Sequence, residues 1–254
     1  MKSTRIAAAT TKKPPIKRLQ QFAVFDIDGT LIRWQLYHAV ADALVKLGFL
    51  DPKDYLPIRQ ARMDWKRRAG KESFRSYEFK LIRLYEKWLR QIEVDQFDRA
   101  AQEVFDEYKD QTYTFTRDLI ANLKQKNYLL LAISNSQTEI VALIAKYYGF
   151  DDYAGAIYER SNNHFTGKAT LHVHDQDLVL KAFIRKHRLS LKNSIAVGDS
   201  TSDIPLLAMV THPMAFNPER QLYAEAKKRG WQIVIERKNV IYKLSQNNGT
   251  YVLV

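Results

Sequence analysis

A chain of 254 residues, 46% hydrophobic and 27% charged, is long enough to bury its own core, and its composition excludes overall disorder or a disulfide-stapled miniprotein. Having no cysteine, it has no disulfide, thiolate nucleophile or cysteine-bound zinc; this does not fix the compartment, and a cytoplasmic location is the default expectation. The formal charge of +12 points toward nucleic acid only weakly, because Lys2, Arg5, Lys12, Lys13, Lys17 and Arg18 concentrate half of it in the first twenty residues.

Residues 1–20 read as a flexible basic tail, and no stretch reaches the roughly 18 to 20 apolar residues that span a bilayer. From Gln21 a buried-type strand, Phe22–Phe25, runs into Asp26-Ile27-Asp28-Gly29-Thr30, where glycine permits a sharp turn at the carboxyl end. Strand signals then vanish from residue 35 to 111. Aromatic and aliphatic residues recur there at helical spacing, in Tyr37–Leu47 and Phe74–Leu89, which predicts an all-helical insertion.

After Thr112 the pattern alternates: helix Thr116–Lys126, strand Tyr128–Ile133, helix Thr138–Tyr148, strand Ala154–Tyr158, then a polar turn or loop at Ser161-Asn162-Asn163-His164. A helix follows near Asp177–Arg188, then strand Ser194–Val197, helix Ile204–Met209, strand His212–Ala215, helix Gln221–Gly230 and strand Gln232–Ile235. The alternation predicts an α/β fold with a doubly wound, Rossmann-like parallel sheet. Its core comprises residues 21–34 and 112–254, with 35–111 as an inserted all-helical cap.

Open sheets of this kind place their chemistry at the carboxyl ends of strands, where three motifs fall. Asp26 can attack phosphorus directly, while Asp28, redirected by the turn, can protonate a leaving alcohol and then activate water. Gly198-Asp199-Ser200-Thr201-Ser202-Asp203 offers two acids at a helix start; helix capping by Asp199 or Ser200 explains this string equally well when it stands alone. Magnesium suits Asp26, the Asp28 carbonyl, Asp199, waters and a substrate phosphate as hard oxygen ligands. Ser134-Asn135-Ser136 presents a hydroxyl and backbone N–H groups fit to hold a phosphoryl oxygen.

In this order, DIDGT, a hydrophobic strand ending at Ser134, and GDSTSD resemble the haloacid dehalogenase superfamily, and the insertion after the first motif looks like its first-type cap. LLLAISNSQTEIVALIAKYYGF resembles the phosphoserine phosphatase branch, subfamily IB, and GDSTSDIPLLAMVTHPMAFNPERQLYAEAKKRGWQIV resembles that branch's uncharacterised hydrolase group. The resemblance, over about Gln21–Ile235, implies a magnesium-dependent phosphatase acting on a small phosphorylated substrate. It implies Asp26 as nucleophile, Asp28 as acid and base, Ser134, Asn135, Gly29 and Thr30 at the phosphate, Asp26, Asp28 and Asp199 at the metal, and Asp203 in support.

The branch also places a lysine near the phosphate, but its usual spacing before Asp199 lands on Gln176; Lys181 is taken as the catalytic candidate, with Lys168 as the other. A glutamate expected nine positions after the nucleophile is Gln35, which weakens the case for phosphoserine. Arg59, Arg62, Lys66, Arg67 and Arg68, with Trp34, Trp65 and Trp88, suggest an anionic or partly apolar ligand, although each tryptophan is more simply helix core. His172 and His174 could share a strand face but lack a third metal ligand. Phosphotransfer from the same aspartyl phosphate, or phosphate-ligand binding with weakened turnover, are the alternatives.

Overall fold

A computed structural model describes residues 19–70, 73–171, 175–238 and 240–254. Residues 1–18 of the expected tail, with His172 and His174, lie outside the described residues. The chain opens with β1 (Gln20–Phe25), then α1 (Leu36–Lys46), α2 (Pro52–Lys66), α3 (Ser73–Leu89), α4 (Val94–Tyr108), α5 (Thr114–Gln125) and β2 (Leu129–Gln137). There follow α6 (Thr138–Tyr148), the hairpin of β3 (Asp152–Ser161) and β4 (His164–Thr170), α7 (Gln176–His187) and β5 (Leu189–Gly198). A 3-10 turn at Thr201–Asp203, α8 (Ile204–Leu207), β6 (His212–Phe216), α9 (Arg220–Arg229), β7 (Gln232–Arg237), β8 (Val240–Asn247) and β9 (Thr250–Leu253) complete the described chain.

The strands form one sheet in the order β4-β3-β2-β1-β5-β6-β7-β8-β9. Its centre, from β3 to β7, is parallel, as the alternation predicts. Antiparallel strands extend both edges: β4 on one side, and β8 with β9 on the other, the latter two lying beyond the last strand expected from the sequence. Both sheet faces are covered because side chains alternate along a strand. Phe22 and Val24 join a core with Leu180 of α7 and Leu222 of α9, whereas Ala23 and Phe25 join one with Ile120 of α5, Ile140 of α6 and the inserted helices.

From β1 the chain moves outward to β2 and β3, then returns to place β5 against the other side of β1. The two directions part at β1 and β5, a topological switch point that leaves a crevice at the carboxyl ends. The insertion is helical, α1 to α4, as its spacing predicts. Trp88 is packed in the core and is no ligand platform. Arg62 is also withdrawn from any anion-binding role. It donates two hydrogen bonds to Asp42, at 2.7 and 2.8 Å, and a third to the Tyr77 hydroxyl at 2.9 Å.

The two crossings between sheet and insertion are fastened to each other. Arg33 N–H donates to Gln111 O at 2.8 Å, and Tyr113 N–H donates to Leu31 O at 3.0 Å. Arg33 Nε reaches Thr112 O at 2.7 Å, and its Nη2 reaches Glu236 Oε1 at 2.6 Å. Glu236, buried on β7, also accepts the N–H groups of Thr114 and Phe115, at 3.1 and 2.8 Å, which begin α5 and have no partner within the helix. Glu236→Ala strands these donors together with the Arg33 guanidinium. Urea unfolding is expected to show a loss of about 2–3 kcal/mol; a loss under roughly 0.5 kcal/mol, the range of ordinary surface changes, would rule out this fastening role.

Candidate active site

Asp26 follows β1 directly, and its N–H pairs with Val197 O of β5 at 3.0 Å, so the sheet itself delivers the side chain. Gly29 turns the chain at φ +83°, a conformation open to glycine, and the Asp199 carboxylate occupies the space where a larger residue's Cβ would stand. The turn sends Asp28 on a different course from Asp26. Its Oδ2 accepts from Ser134 Oγ at 2.6 Å, and its Oδ1 accepts from the N–H of Leu36, the first residue of α1, at 2.5 Å. The next helix amide, Tyr37 N–H, donates to Ser136 Oγ at 3.1 Å. Gln35 supplies no side-chain cap, so groups from the sheet cap α1 instead.

Beyond β5, Ser200 and Asp203 form the capping box of the 3-10 turn, so the capping role left open by the string falls to these two. Asp203 Oδ2 accepts the N–H groups of Asp199 and Ser200 at 3.0 and 2.9 Å, and its Oδ1 accepts Gln176 Nε2 at 3.1 Å. Single carboxylate oxygens of Asp26, Asp199 and Asp203 lie within 4.8 Å of one another. Burial pushes the pKa of all four acids upward. Neighbouring carboxylates push Asp26 and Asp199 further, while hydrogen bonds hold back part of the rise at Asp28 and Asp203.

This oxygen-only donor set fits a hard divalent cation such as magnesium. Asp26 Oδ2, buried without a donor, and the mutual repulsion of the carboxylates point the same way. Asp203 brings an oxygen to the group, whereas the sequence suggested only a supporting part for it. The Asp28 carboxylate is engaged by Ser134 and Leu36 and is not one of the three in the cluster, so the metal role that the sequence named for Asp28 would fall to its carbonyl.

Ser134 is buried within β2, which runs on to Gln137 past the end expected from the sequence, and it also accepts Ser136 N–H at 2.9 Å. Asn135 Nδ2 donates to Ser202 Oγ at 3.3 Å, which joins the second and third motifs. Thr30 is buried in the turn after Gly29. Lys181 is not brought to the carboxylates: its Nζ pairs with Asp177 at 2.7 Å on a half-exposed helix face. Five residues past Gln176, it points about 140° away around α7. Lys168, 80% exposed, pairs with Glu159 at 3.6 Å. Gln176 does reach the site, fully buried against Asp203. Glu219, which the sequence reading passed over, donates its N–H to Asp199 O at 2.9 Å and accepts Thr201 N–H at 2.5 Å; its only signal was its place after Asn217-Pro218.

A family model described as haloacid dehalogenase-like hydrolase matches residues 23–208. A phosphoserine phosphatase of Mycobacterium tuberculosis is 28% identical over 89% of this chain and 74% of its own. A histidinol-phosphatase of Neisseria meningitidis serogroup C is 25% identical over 85% of this chain and 99% of its own. The solved structure of a Bordetella pertussis Tohama I protein of unknown function superposes with a TM-score of 0.70 at 21% identity, covering 86% of this chain and 99% of that one. Among the described residues no helix is long and apolar enough to cross a membrane.

The raised carboxyl pKa values fix the sign of a pH effect. The folded chain binds these protons more tightly than the unfolded chain, so their contribution is present below the ordinary carboxylate range near ~4 and is lost as pH rises through the raised values. His38, lowered to about 3 by burial and by Arg62, acts oppositely, losing its contribution as pH falls below roughly 6.5. Comparison of Asp26→Asn with the parent isolates the acidic site. Without divalent metal, the variant is expected to melt higher at neutral pH, with the gap closing in acid. Added magnesium should raise the parent's melting temperature more than the variant's, and an unchanged metal-free melting curve in the variant would refute the electrostatic reading.

Proposed function

Because the chain belongs to the haloacid dehalogenase-like hydrolases, we propose that it is a phosphatase that cleaves a small phosphomonoester through an aspartyl phosphate on Asp26. The observation that carries this reading is the pairing of a buried Asp26 oxygen without a donor and a neighbouring acid, Asp28, held by Ser134 and Leu36 N–H. A carboxylate oxygen of Asp26 attacks phosphorus as the ester P–O bond breaks. Asp28, whose burial favours its protonated form, gives its proton to the leaving alcohol oxygen. As a carboxylate it then takes a proton from water, whose oxygen attacks phosphorus and releases inorganic phosphate and Asp26.

Ser134, Asn135 and the turn Gly29-Thr30 are assigned to the phosphoryl oxygens, and Asp199 and Asp203 join Asp26 at the metal. Magnesium bound there would supply positive charge to bring an anionic ester toward a carboxylate and to stabilise the equatorial oxygens during transfer. The sheet ends fix these groups in advance of substrate, so orientation carries much of the work. Asp28 could serve an acceptor alcohol in place of water, which would make the same intermediate a phosphotransfer step. Distinguishing the two requires product analysis with an added acceptor alcohol.

The test is a panel of phosphomonoesters with magnesium, headed by phosphoserine and histidinol phosphate, the esters that the relatives' names indicate. Asp26→Asn is expected to lower kcat by on the order of 10³-fold or more. Asp28→Asn should lower it by about 10²- to 10⁴-fold, the range of a general acid and base. If Asp26→Asn and the parent turn over every ester equally slowly, the chain binds phosphate ligands without cleaving them.

A further inference from the structure

The two edges of the sheet are built differently. An edge strand presents a row of unpaired backbone N–H and C=O groups, and charges, bends or a covering segment ordinarily keep another strand off it. The β4 edge has such devices. Glu93 of the insertion bridges to His164, and Lys168 stands 80% exposed. Gly167 lies at φ +85°, with the Arg90 guanidinium in the space that a larger residue's Cβ would fill. At the opposite edge, β9 follows β8 through a tight Asn248-Gly249 turn, φ +48° and +80°, and residues 245–254 carry no charged side chain and no proline. Among the described residues no strand lies beyond β9.

The β8–β9 ladder fixes which backbone groups of β9 face outward. Val254 N–H donates to Lys243 O at 2.9 Å. Bonded and non-bonded pairs alternate along an antiparallel ladder, so Val252, opposite Ser245, and Thr250, opposite Asn247, are also turned toward β8. Tyr251 and Leu253 therefore turn their N–H and C=O groups away from the sheet. Tyr251 is anchored, its hydroxyl lying 2.9 and 2.7 Å from the carbonyl oxygens of Ala226 and Trp231. Leu253 sits on the same sheet face, opposite Leu244, yet is 65% exposed, and Val252 on the other face is 38% exposed.

Two outward-facing residues flanking one inward-facing residue form a self-complementary unit. When a second β9 runs antiparallel with Val252 opposite its own copy, Tyr251 of each chain lies opposite Leu253 of the other, and each such pair exchanges two hydrogen bonds. No outward donor or acceptor of Tyr251 or Leu253 is left over. Leu253 of one copy then packs beside the Tyr251 ring of the other, an aromatic–aliphatic cross-strand pair that covers its exposed surface. The arrangement has a two-fold axis through Val252. A formal charge of +12 opposes the meeting of two copies over much of their surface, but the uncharged β9 brings no like charges together. We propose that β9 is a self-association edge, which pairs antiparallel with β9 of a second copy of this chain and continues the sheet from one copy into the other. A foreign strand could meet the same backbone groups, whereas the chain's own strand also matches Leu253 and Val252 with apolar side chains. Four strands separate β9 from β1, and the inference goes beyond the phosphatase reading without depending on it.

The experiment is sedimentation of the full chain over a dilution series. Four hydrogen bonds along one short strand make a small interface, so the chain is expected to pass from monomer to dimer with a dissociation constant in roughly the micromolar range. Val252→Lys and Val252→Glu each bring like charges together at the axis and should weaken association by about tenfold or more. An equal mixture of the two should recover the dimer, because opposite charges then meet. In the parent, hydrogen exchange at the Tyr251 and Leu253 amides should slow as concentration rises, while the Val252 and Val254 amides, already bonded to β8, keep their rates. A parent that stays monomeric to roughly millimolar concentration overturns the proposal, whatever other strand the edge accepts. A dimer that neither folded variant weakens, or that leaves exchange at Tyr251 and Leu253 unchanged, is built on another face and overturns it too. A mixture that stays monomeric overturns the register centred on Val252. If the variants do not fold, exchange in the parent decides. Turnover enters none of these readings, so a chain that cleaves no ester can keep this edge, and an active phosphatase can lose it.

Discussion

Three carboxylate oxygens within 4.8 Å of one another in a buried crevice repel strongly, and much of the surrounding architecture serves to hold them there. The sheet places β1 beside β5, so Asp26 and Asp199 leave adjacent strand ends. Phe22, Ala23, Val24 and Phe25 have no solvent exposure, which gives the strand beneath the site a packed core on both faces. Gly29 withdraws its own bulk so that the Asp199 carboxylate can approach. Asp203 is restrained by backbone amides and by Gln176, so its repulsion of Asp26 cannot be relieved by turning away. Stability invested in the sheet thus maintains an acidic site that is unfavourable until a cation arrives.

The same constraint reaches the cap through Asp28. One of its oxygens is bound by Ser134 of the sheet and the other by the first amide of α1, so the proposed acid and base lies at the joint between the two parts. A second joint holds α4. Arg160 on β3 pairs with Asp98 of α4 and Glu139 of α6, and Val94 N–H donates to Asn163 O in the β3–β4 turn at 2.9 Å. An opening motion of the cap therefore either breaks these bonds or is confined to α2 and α3. In the first case, losing the Leu36 bond would raise the proton affinity of Asp28 further, because that bond favours its ionised form.

What the sequence revealed and what it hid follow from how locally each feature is encoded. The parallel core was legible because buried strands such as Phe22–Phe25 and Leu129–Ile133 are short apolar runs ending in glycine or small polar residues. The acids were legible because their spacing lies within single motifs. Glu236 was not, since its partners are Arg33, 203 positions away, and two backbone amides, which leave no mark in the side-chain pattern. The Asp28 bond to Leu36 N–H was hidden for the same reason. Strands β8 and β9 lack the clean inside-outside alternation of a half-buried pair. Val240, Ile241 and Tyr242 are all substantially exposed, and the elements expected from the sequence stop at Ile235.

Lys181 and Gln176 show the limit of inference by charge. A lysine in the right helix drew attention as the missing cation, yet helix geometry commits it to Asp177 on the outer face. The buried position belongs to a residue with no charge, whose contribution lies in the direction of its two amide ends: a donor spent on Asp203 and an acceptor left over. A fixed ammonium neutralises carboxylates permanently, whereas an amide orders them and leaves neutralisation to ions from solution. The structure therefore separates two tasks that one basic side chain could perform together. Among the described residues this geometry is built in by Asp203 and Gln176, and no basic side chain pairs with the acids to neutralise them.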